Sequence, residues 1–326
     1  MSALVVLNPA ARGGRARRAR PALDAVLARS GLDAVVVETR APGDAERIAR
    51  AADADLVVAA GGDGTVHEVV NGLAARGAAA GGRGGPALGV IPLGTGDDVA
   101  AALGVPGDLD GAVRALAAPP RPVDLGEVRW EDDRGEHARL FVNCLGAGFD
   151  AHAALLARET KWVGGRAAYL AAVLRALWAW RRPGAVARIA VDGAVVFDGP
   201  LFLCETGNGH SVGGGFLLTP DARPDDGALD VCVVRHLAPA RAARLLPRSL
   251  DGSHVTAPEV TTGRGRRIEI DARDGALALQ ADGEALTLGA GRVRIDVRPG
   301  ALWAAAPGLA APPRPPSAVA ERGYDS

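Results

Sequence analysis

The first third of the chain alternates short β-branched runs with stretches of helical spacing. Ala3 to Leu7, Ala34 to Glu38, Leu56 to Ala60 and Ala87 to Ile91 read as strands, and Ala16 to Arg29, Asp44 to Ala52 and Val66 to Arg76 as helices between them. This is the pattern of a parallel sheet covered by helices. Beyond about Asp124 the texture changes to many short strand-like runs separated by Gly, Asp and Pro, as an antiparallel β-sandwich would give. The clearest are Arg188 to Val191, Pro200 to Thr206, Ala228 to Val234, Arg267 to Asp271, Ala276 to Ala281 and Arg292 to Val297. Within this half, Leu170, Val173, Leu174, Leu177 and Trp178 fall at helical spacing and predict a helix over Arg166 to Trp180. Gly77 to Gly85 reads as a loop, and Pro307 to Pro316 as an extended or disordered tail. The expected organisation is an α/β domain over 1–125, a mainly antiparallel β-sandwich domain over 126–300 and a return segment with a Pro-rich tail over 301–326.

Length supports two domains, because 326 residues with 48% hydrophobic content exceed the usual size of one core. The 37 basic and 38 acidic side chains leave a net charge of -1, against the positive field of a general nucleic-acid binder. Three cysteines, Cys144, Cys204 and Cys232, are far apart and lack C-x-x-C spacing, so no disulfide framework or zinc site is indicated. The apolar run at the start stops at Asn8-Pro9, and no window approaches the roughly 20 apolar residues of a membrane span. A cytoplasmic enzyme is the expectation.

Two turns carry candidate chemistry. Gly61-Gly62-Asp63-Gly64-Thr65 follows an apolar strand and precedes a helix. Its glycines admit an anion close to the backbone, and the helix start presents free N–H groups and a positive dipole end. Gly94-Thr95-Gly96, followed by Asp97-Asp98, repeats the form after Ala87 to Ile91. At the carboxyl ends of parallel strands, both would face the crevice where such sheets bind ligands. Aspartates at helix starts are also ordinary N-caps, and Asp97 alone reads as one. The P-loop motif is absent, as is a G-x-G-x-x-G after the first strand, which argues against a P-loop NTPase and a dinucleotide oxidoreductase.

The run Gly61 to Leu73 resembles the signature of the diacylglycerol kinase catalytic family, which includes sphingosine and ceramide kinases. The resemblance continues in order through Asn8-Pro9, Gly94 to Asp98, Asp124-Leu125-Gly126, Phe149-Asp150, Asn208-Gly209, Gly213-Gly214-Gly215, Pro220 to Gly227 and Asp282-Gly283-Glu284. It covers nearly the whole chain and is similar to the bacterial soluble members. One departure is Asp97, where the family has asparagine.

The resemblance implies a two-domain lipid kinase with ATP and Mg²⁺ in the interdomain cleft, acting on diacylglycerol or a similar lipid. It places Asn8, Gly61, Gly62, Gly64, Thr65, Gly94, Thr95 and Glu284 around the nucleotide. Asp63, Asp98, Asp124, Asp225 and Asp226 are the candidate metal-binding acids, and Glu284, Asp63 and Asp98 the catalytic ones. Glu284 or Asp63 takes the hydroxyl proton; Glu284 is preferred. From spacing alone Ala281 to Glu284 is a hairpin turn and Asp226-Gly227 a β-turn. His67 reads as a packing or polar-surface residue. Basic residues Arg158, Lys161, Arg166, Arg175, Arg181 and Arg182 surround Trp162, Trp178 and Trp180, which suits either an anionic membrane surface or a solvated helix face. A homodimer is an admissible assembly. The competing functions are an NAD kinase, which shares the Gly-Gly-Asp-Gly-Thr loop, and an inactive lipid- or nucleotide-binding module.

Overall fold

A computed structural model describes residues 1–80, 85–152 and 184–308. The expected helix over Arg166 to Trp180, its basic and aromatic cluster, and most of the Pro-rich tail lie outside the described residues. The first domain opens with β1 (Ser2–Leu7), a four-residue irregular turn α1 (Ala11–Gly14), α2 (Ala16–Ser30), β2 (Asp33–Glu38) and α3 (Asp44–Ala51). It continues with β3 (Leu56–Gly61), α4 (Asp63–Ala80), β4 (Ala87–Pro92), α5 (Asp98–Ala102) and α6 (Leu109–Ala115). The strands pair in parallel in the order β4-β3-β1-β2. β3 is buried at every position, as a central strand covered on both faces must be, whereas edge strand β2 is half exposed. Helix α4 continues through Ala80, into the segment expected to be a loop from Gly77. Its last turn is Ala78-Ala79-Ala80, and alanine is the strongest helix former.

The second domain is antiparallel throughout its paired strands. One layer runs β6 (Gly135–Phe141), β5 (Pro120–Asp132), β15 (Arg292–Ala305), β12 (Arg267–Asp274), β8 (Val186–Val191), β9 (Ala194–Gly207). The other runs β14 (Glu284–Ala290), β13 (Leu277–Ala281), β7 (Cys144–Gly148), β9, β10 (Leu229–Arg235), β11 (Val260–Gly265). The long strand β9 serves both layers. Phe141, Leu145, Ile189, Leu201, Leu279 and Ile295 pack between them in one core. A short helix, α7 (Pro239–Leu245), follows β10.

Strands β5 and β15 form a ribbon that crosses between the domains. Arg292 to Arg298 pair with Leu125 to Glu131, and after a register shift Leu302 to Ala305 pair with Pro120 to Val123. The far end of β15 reaches the first sheet, where Ala304 lies beside Leu88 of β4. Leu302 and Ala304 to Ala306 accordingly belong to the first domain's core. The ribbon was not among the expected strands at its β5 end. Prolines at 120 and 122 and the charges that follow hide its alternation. Among the described residues no helix is long and apolar enough to cross a membrane.

Candidate active site

The two glycine turns abut at the carboxyl ends of β3 and β4. A Cβ on Gly94 would sit 2.5 Å from the Gly62 Cα, so neither position tolerates a side chain without the turns parting. Asn8, just past β1, donates from Nδ2 to Thr65 Oγ1 at 3.0 Å, while its Oδ1 accepts the Ala10 N–H. These bonds tie three strand ends into one rim. A groove of ≈ 440 Å³ between β1, β2 and α3, lined by Leu4, Val35, Val37 and Ile48, also touches Ser2 and Asp33, at the opposite strand ends. It does not communicate with these turns through any residue that lines it.

Asp63 and Asp98 converge at the rim. A Cβ on Gly96 would lie 3.0 Å from Asp63 Oδ2 and 3.1 Å from Asp98 Oδ2. Asp63 Oδ1 accepts the Val99 N–H at 3.0 Å. Burial, and then the Asp98 charge, raise Asp63 to about 7. Asp98 is buried, and its carboxylate is held from the second domain by Ser211 Oγ at 2.8 Å and the N–H groups of Gly214 at 2.7 Å and Gly215 at 3.0 Å. Gly213, Gly214 and Gly215 have φ of 64°, 84° and 108°, a left-handed run that turns successive N–H groups inward. Asp97 differs from its expected role as N-cap. At φ 56° its Oδ1 accepts the Gly94 N–H, closing the preceding turn, and it makes no cap bond to α5. Burial is the main cause that raises Asp97 to about 6.

Glu284 enters the rim from the second domain. A Cβ on Gly64 would stand 2.5 Å from Glu284 Oε1, so the carboxylate lies directly over the first turn of α4. Spacing predicts a hairpin turn over Ala281 to Glu284, and the structure has it: Glu284, the first residue of β14, pairs with Ala281 across a two-residue loop. The turn is Asp282-Gly283, with φ of 50° and 82°, the left-handed pair that two-residue hairpins use. Asp282 is buried and accepts the N–H groups of Val142, Asn143 and Cys144 at 2.8 to 3.0 Å. His67 Nδ1 lies 2.9 Å from Asp282 Oδ2, and Arg139 donates from Nε to His67 Nε2 at 3.2 Å. An arginine donor at Nε2 makes Nδ1 the protonated nitrogen, so neutral His67 donates to Asp282. His67 is therefore a buried interdomain bond, which its sequence position did not reveal.

The remaining signature residues position helices. Glu68 accepts the N–H groups of Gly43 and Ala45 at the start of α3. Asn71 bonds both ways with the Leu140 backbone, and Gly72 lets α4 approach Glu46, whose carbonyl would be 2.3 Å from a Cβ there.

Asp124, Asp225 and Asp226 are not gathered with these acids. Asp124 Oδ1 accepts the Gly300 N–H at 2.7 Å, opposite the register shift of β15, and Oδ2 accepts the Gly227 N–H at 2.6 Å. Asp225 pairs with Arg223, and Asp226 with Arg264 and the Ala228 N–H. Among the described residues no group of three or more His, Cys, Asp or Glu side chains is arranged to hold a metal ion. A carboxylate pair completed by nucleotide oxygens and water is what Mg²⁺ takes, and Asp63 with Asp98 offers such a pair.

Residues 2–128 match the diacylglycerol kinase catalytic domain, and residues 143–306 the YegS C-terminal NAD kinase beta sandwich-like domain. A probable YegS-like lipid kinase of Pseudomonas aeruginosa is 34% identical over 79% of this chain and 80% of its own. A diacylglycerol kinase of Mycobacterium tuberculosis is 32% identical over 85% of this chain and 86% of its own. The chain belongs to the diacylglycerol kinase family. A solved member of that family, a putative diacylglycerol kinase from Bacillus anthracis, superposes with a TM-score of 0.72 at 24% identity, covering 94% of this chain and 97% of its own. That likeness is one of fold, and it extends over both domains.

Proposed function

We propose that this member of the diacylglycerol kinase family is an ATP- and Mg²⁺-dependent lipid kinase that phosphorylates the free hydroxyl of diacylglycerol or a similar lipid. The observation that carries the reading is the approach of Glu284, from the sandwich, to Gly64 of the parallel-sheet domain, next to Asp63, whose carboxylate converges with that of Asp98 at Gly96. Phosphoryl transfer asks for held phosphates, neutralised charge and a carboxylate for the hydroxyl proton. Gly61 to Thr65, Gly94 and Thr95 hold the phosphates, with Asn8 bracing Thr65. Mg²⁺ held by Asp63 and Asp98 would supply charge neutralisation on the phosphates. The substrate oxygen attacks the γ-phosphorus, the bond to the β-phosphate oxygen breaks, and the hydroxyl proton passes to Glu284. Asp124 supports the site by fixing the loop after Pro224 against the ribbon, while Asp225 and Asp226 brace that loop through Arg223 and Arg264. The lipid is taken from an anionic membrane surface from the water side, and the homodimer stays compatible with this reading.

The test is ATP-dependent phosphate transfer measured against a panel of diacylglycerol, sphingoid base and ceramide in mixed micelles, with NAD as the control acceptor. Transfer to one lipid class is expected. Glu284→Gln should lower turnover by about 10²-fold or more with ATP affinity kept, because a general base contributes about 10²- to 10⁴-fold. Phosphorylation of NAD without that of lipid would replace this reading with the NAD kinase one.

A further inference from the structure

Glu205 of β9 is fully buried, and among the described residues neither of its carboxyl oxygens receives a hydrogen bond from a nitrogen or hydroxyl donor. Its neighbours are the carboxyl of Asp150 and the thiol of Cys144. An ionised carboxylate so placed would be uncompensated at a cost of several kcal/mol. Burial, and next the Asp150 charge, push Glu205 well above the carboxylate range, and burial raises Asp150 to about 6. One proton shared by the two acids would remove that cost, carried by Glu205, whose oxygens have no nitrogen or hydroxyl donor among the described residues, beside Asp150, which already accepts from Gln280.

Asp150 has a second partner that leads to the active site. Gln280 of β13 donates from Nε2 to Asp150 Oδ2 at 3.1 Å, and its Oε1 accepts the Gly283 N–H at 2.7 Å. Reversing that amide would set its oxygen against a carboxylate and its NH₂ against an N–H, so the network fixes one orientation. Gly283 immediately precedes Glu284. The seat is shaped for the acid: a Cβ on Gly146 would fall 1.3 Å from Asp150 Oδ2, so only glycine leaves room for the carboxyl there. Gly283 is thus pinned by Gln280 on one side of the turn while Asp282 is pinned by the 142–144 backbone on the other.

We propose that Glu205, Asp150 and Gln280 are positioning residues for Glu284: the buried acid pair, sharing one proton, orients the Gln280 amide, and Gln280 holds the turn that aims Glu284 across the cleft. The inference rests on the lipid-kinase reading for its kinetic consequence, and on the hydrogen-bond chain alone for its structural one. Glutamine at 205 mimics the protonated acid, since its NH₂ donates to Asp150 and its oxygen accepts from Cys144. Leucine keeps the volume and supplies no donor.

The experiment compares the full chain with Glu205→Gln, Glu205→Leu and Gln280→Leu by three measurements. Infrared difference spectra between the full chain and Glu205→Gln at neutral pH should contain a protonated-carboxyl stretch that belongs to Glu205 and is separate from that of Asp63. Hydrogen exchange over residues 280–285 should be slow in the full chain and in Glu205→Gln, and fast in both leucine variants. Turnover should fall by about 10²-fold in the leucine variants with the KM for ATP unchanged, as for a misplaced group in a geometry-limited step, and should largely survive in Glu205→Gln. Absence of the infrared band, or exchange in Glu205→Gln as fast as in Glu205→Leu, overturns the proposal. Equal loss of turnover and ATP affinity in Gln280→Leu does so too, by making the residue merely structural. If Gln280→Leu does not fold, the two Glu205 variants and the infrared band still decide. If the full chain phosphorylates no lipid, the kinase reading fails, while exchange and infrared continue to judge the hydrogen-bond chain.

Discussion

Asp63→Asn separates what the rim requires for stability from what it requires for chemistry. Asp63 rises from its ordinary 3.8 to about 7, first through burial and then through the Asp98 charge. At about 1.4 kcal/mol per tenfold change, the cost of ionising it in the folded state is at most about 4 kcal/mol. Part of that is repulsion shared with Asp98, so about 2 kcal/mol is the working figure. The folded chain binds the Asp63 proton more tightly than the unfolded chain does. Stability therefore falls as pH rises from about 4 through about 7, and the penalty is complete above that. Asparagine keeps the Oδ1 acceptor for the Val99 N–H and carries no charge. Without nucleotide or Mg²⁺, Asp63→Asn should melt about 4–8 °C above the unmodified chain near pH 8, at about 2–4 °C per kcal/mol for domains of 150–250 residues. The gap should close steadily toward pH 4, while lipid phosphorylation is lost at every pH. Thermal melts across that range, paired with transfer assays, test both halves. A gap that does not change with pH, or a variant less stable near pH 8, would refute the reasoning.

Two further outcomes follow from the same geometry. Gly64→Ala pushes its Cβ onto Glu284 Oε1, a flexible end that moves away, so turnover should drop by about 10²-fold while the melting temperature holds or rises; unchanged turnover would show that Glu284 does not need that position. Asp124→Ala strands the N–H groups of Gly227 and Gly300 and should cost about 2–4 kcal/mol in denaturant unfolding. That loss should be the same with and without a chelator, whereas a loss that chelator reproduces in the unmodified chain would make Asp124 a metal ligand instead.

What the sequence made legible was local. Strand, turn and helix from Leu56 onward could be read because the apolar run, the glycines and the helix start are contiguous. Contacts between distant segments were hidden. The hairpin turn at Ala281 to Glu284 could be read from spacing, but not that it carries Glu284 over Gly64 of the other domain. His67 gave no sign of its bond to Asp282, 215 positions later. Asp124 was a candidate metal acid by resemblance alone, and its bonds to the Gly227 and Gly300 N–H groups, brought close by a shift in β15, could not be read from the sequence. Glu205 sat unmarked in a hydrophobic strand, although a lone carboxylate in the run Leu201 to Cys204 and beyond was a signal of a buried partner.

The ribbon of β5 and β15 sets an order of assembly. The first domain occupies the start of the chain, yet Leu302 and Ala304 to Ala306 are part of its interior, and Ala304 lies beside β4. During synthesis its sheet can pair early, but it stays open along one edge until Leu302 to Ala306 have left the ribosome. The sandwich must by then have brought β15 alongside β5, because the same strand serves both. The two domains are therefore separate in shape but not in folding. The phosphate turns, at the ends of β3 and β4, reach their final support only when the sandwich that carries Glu284 is in place.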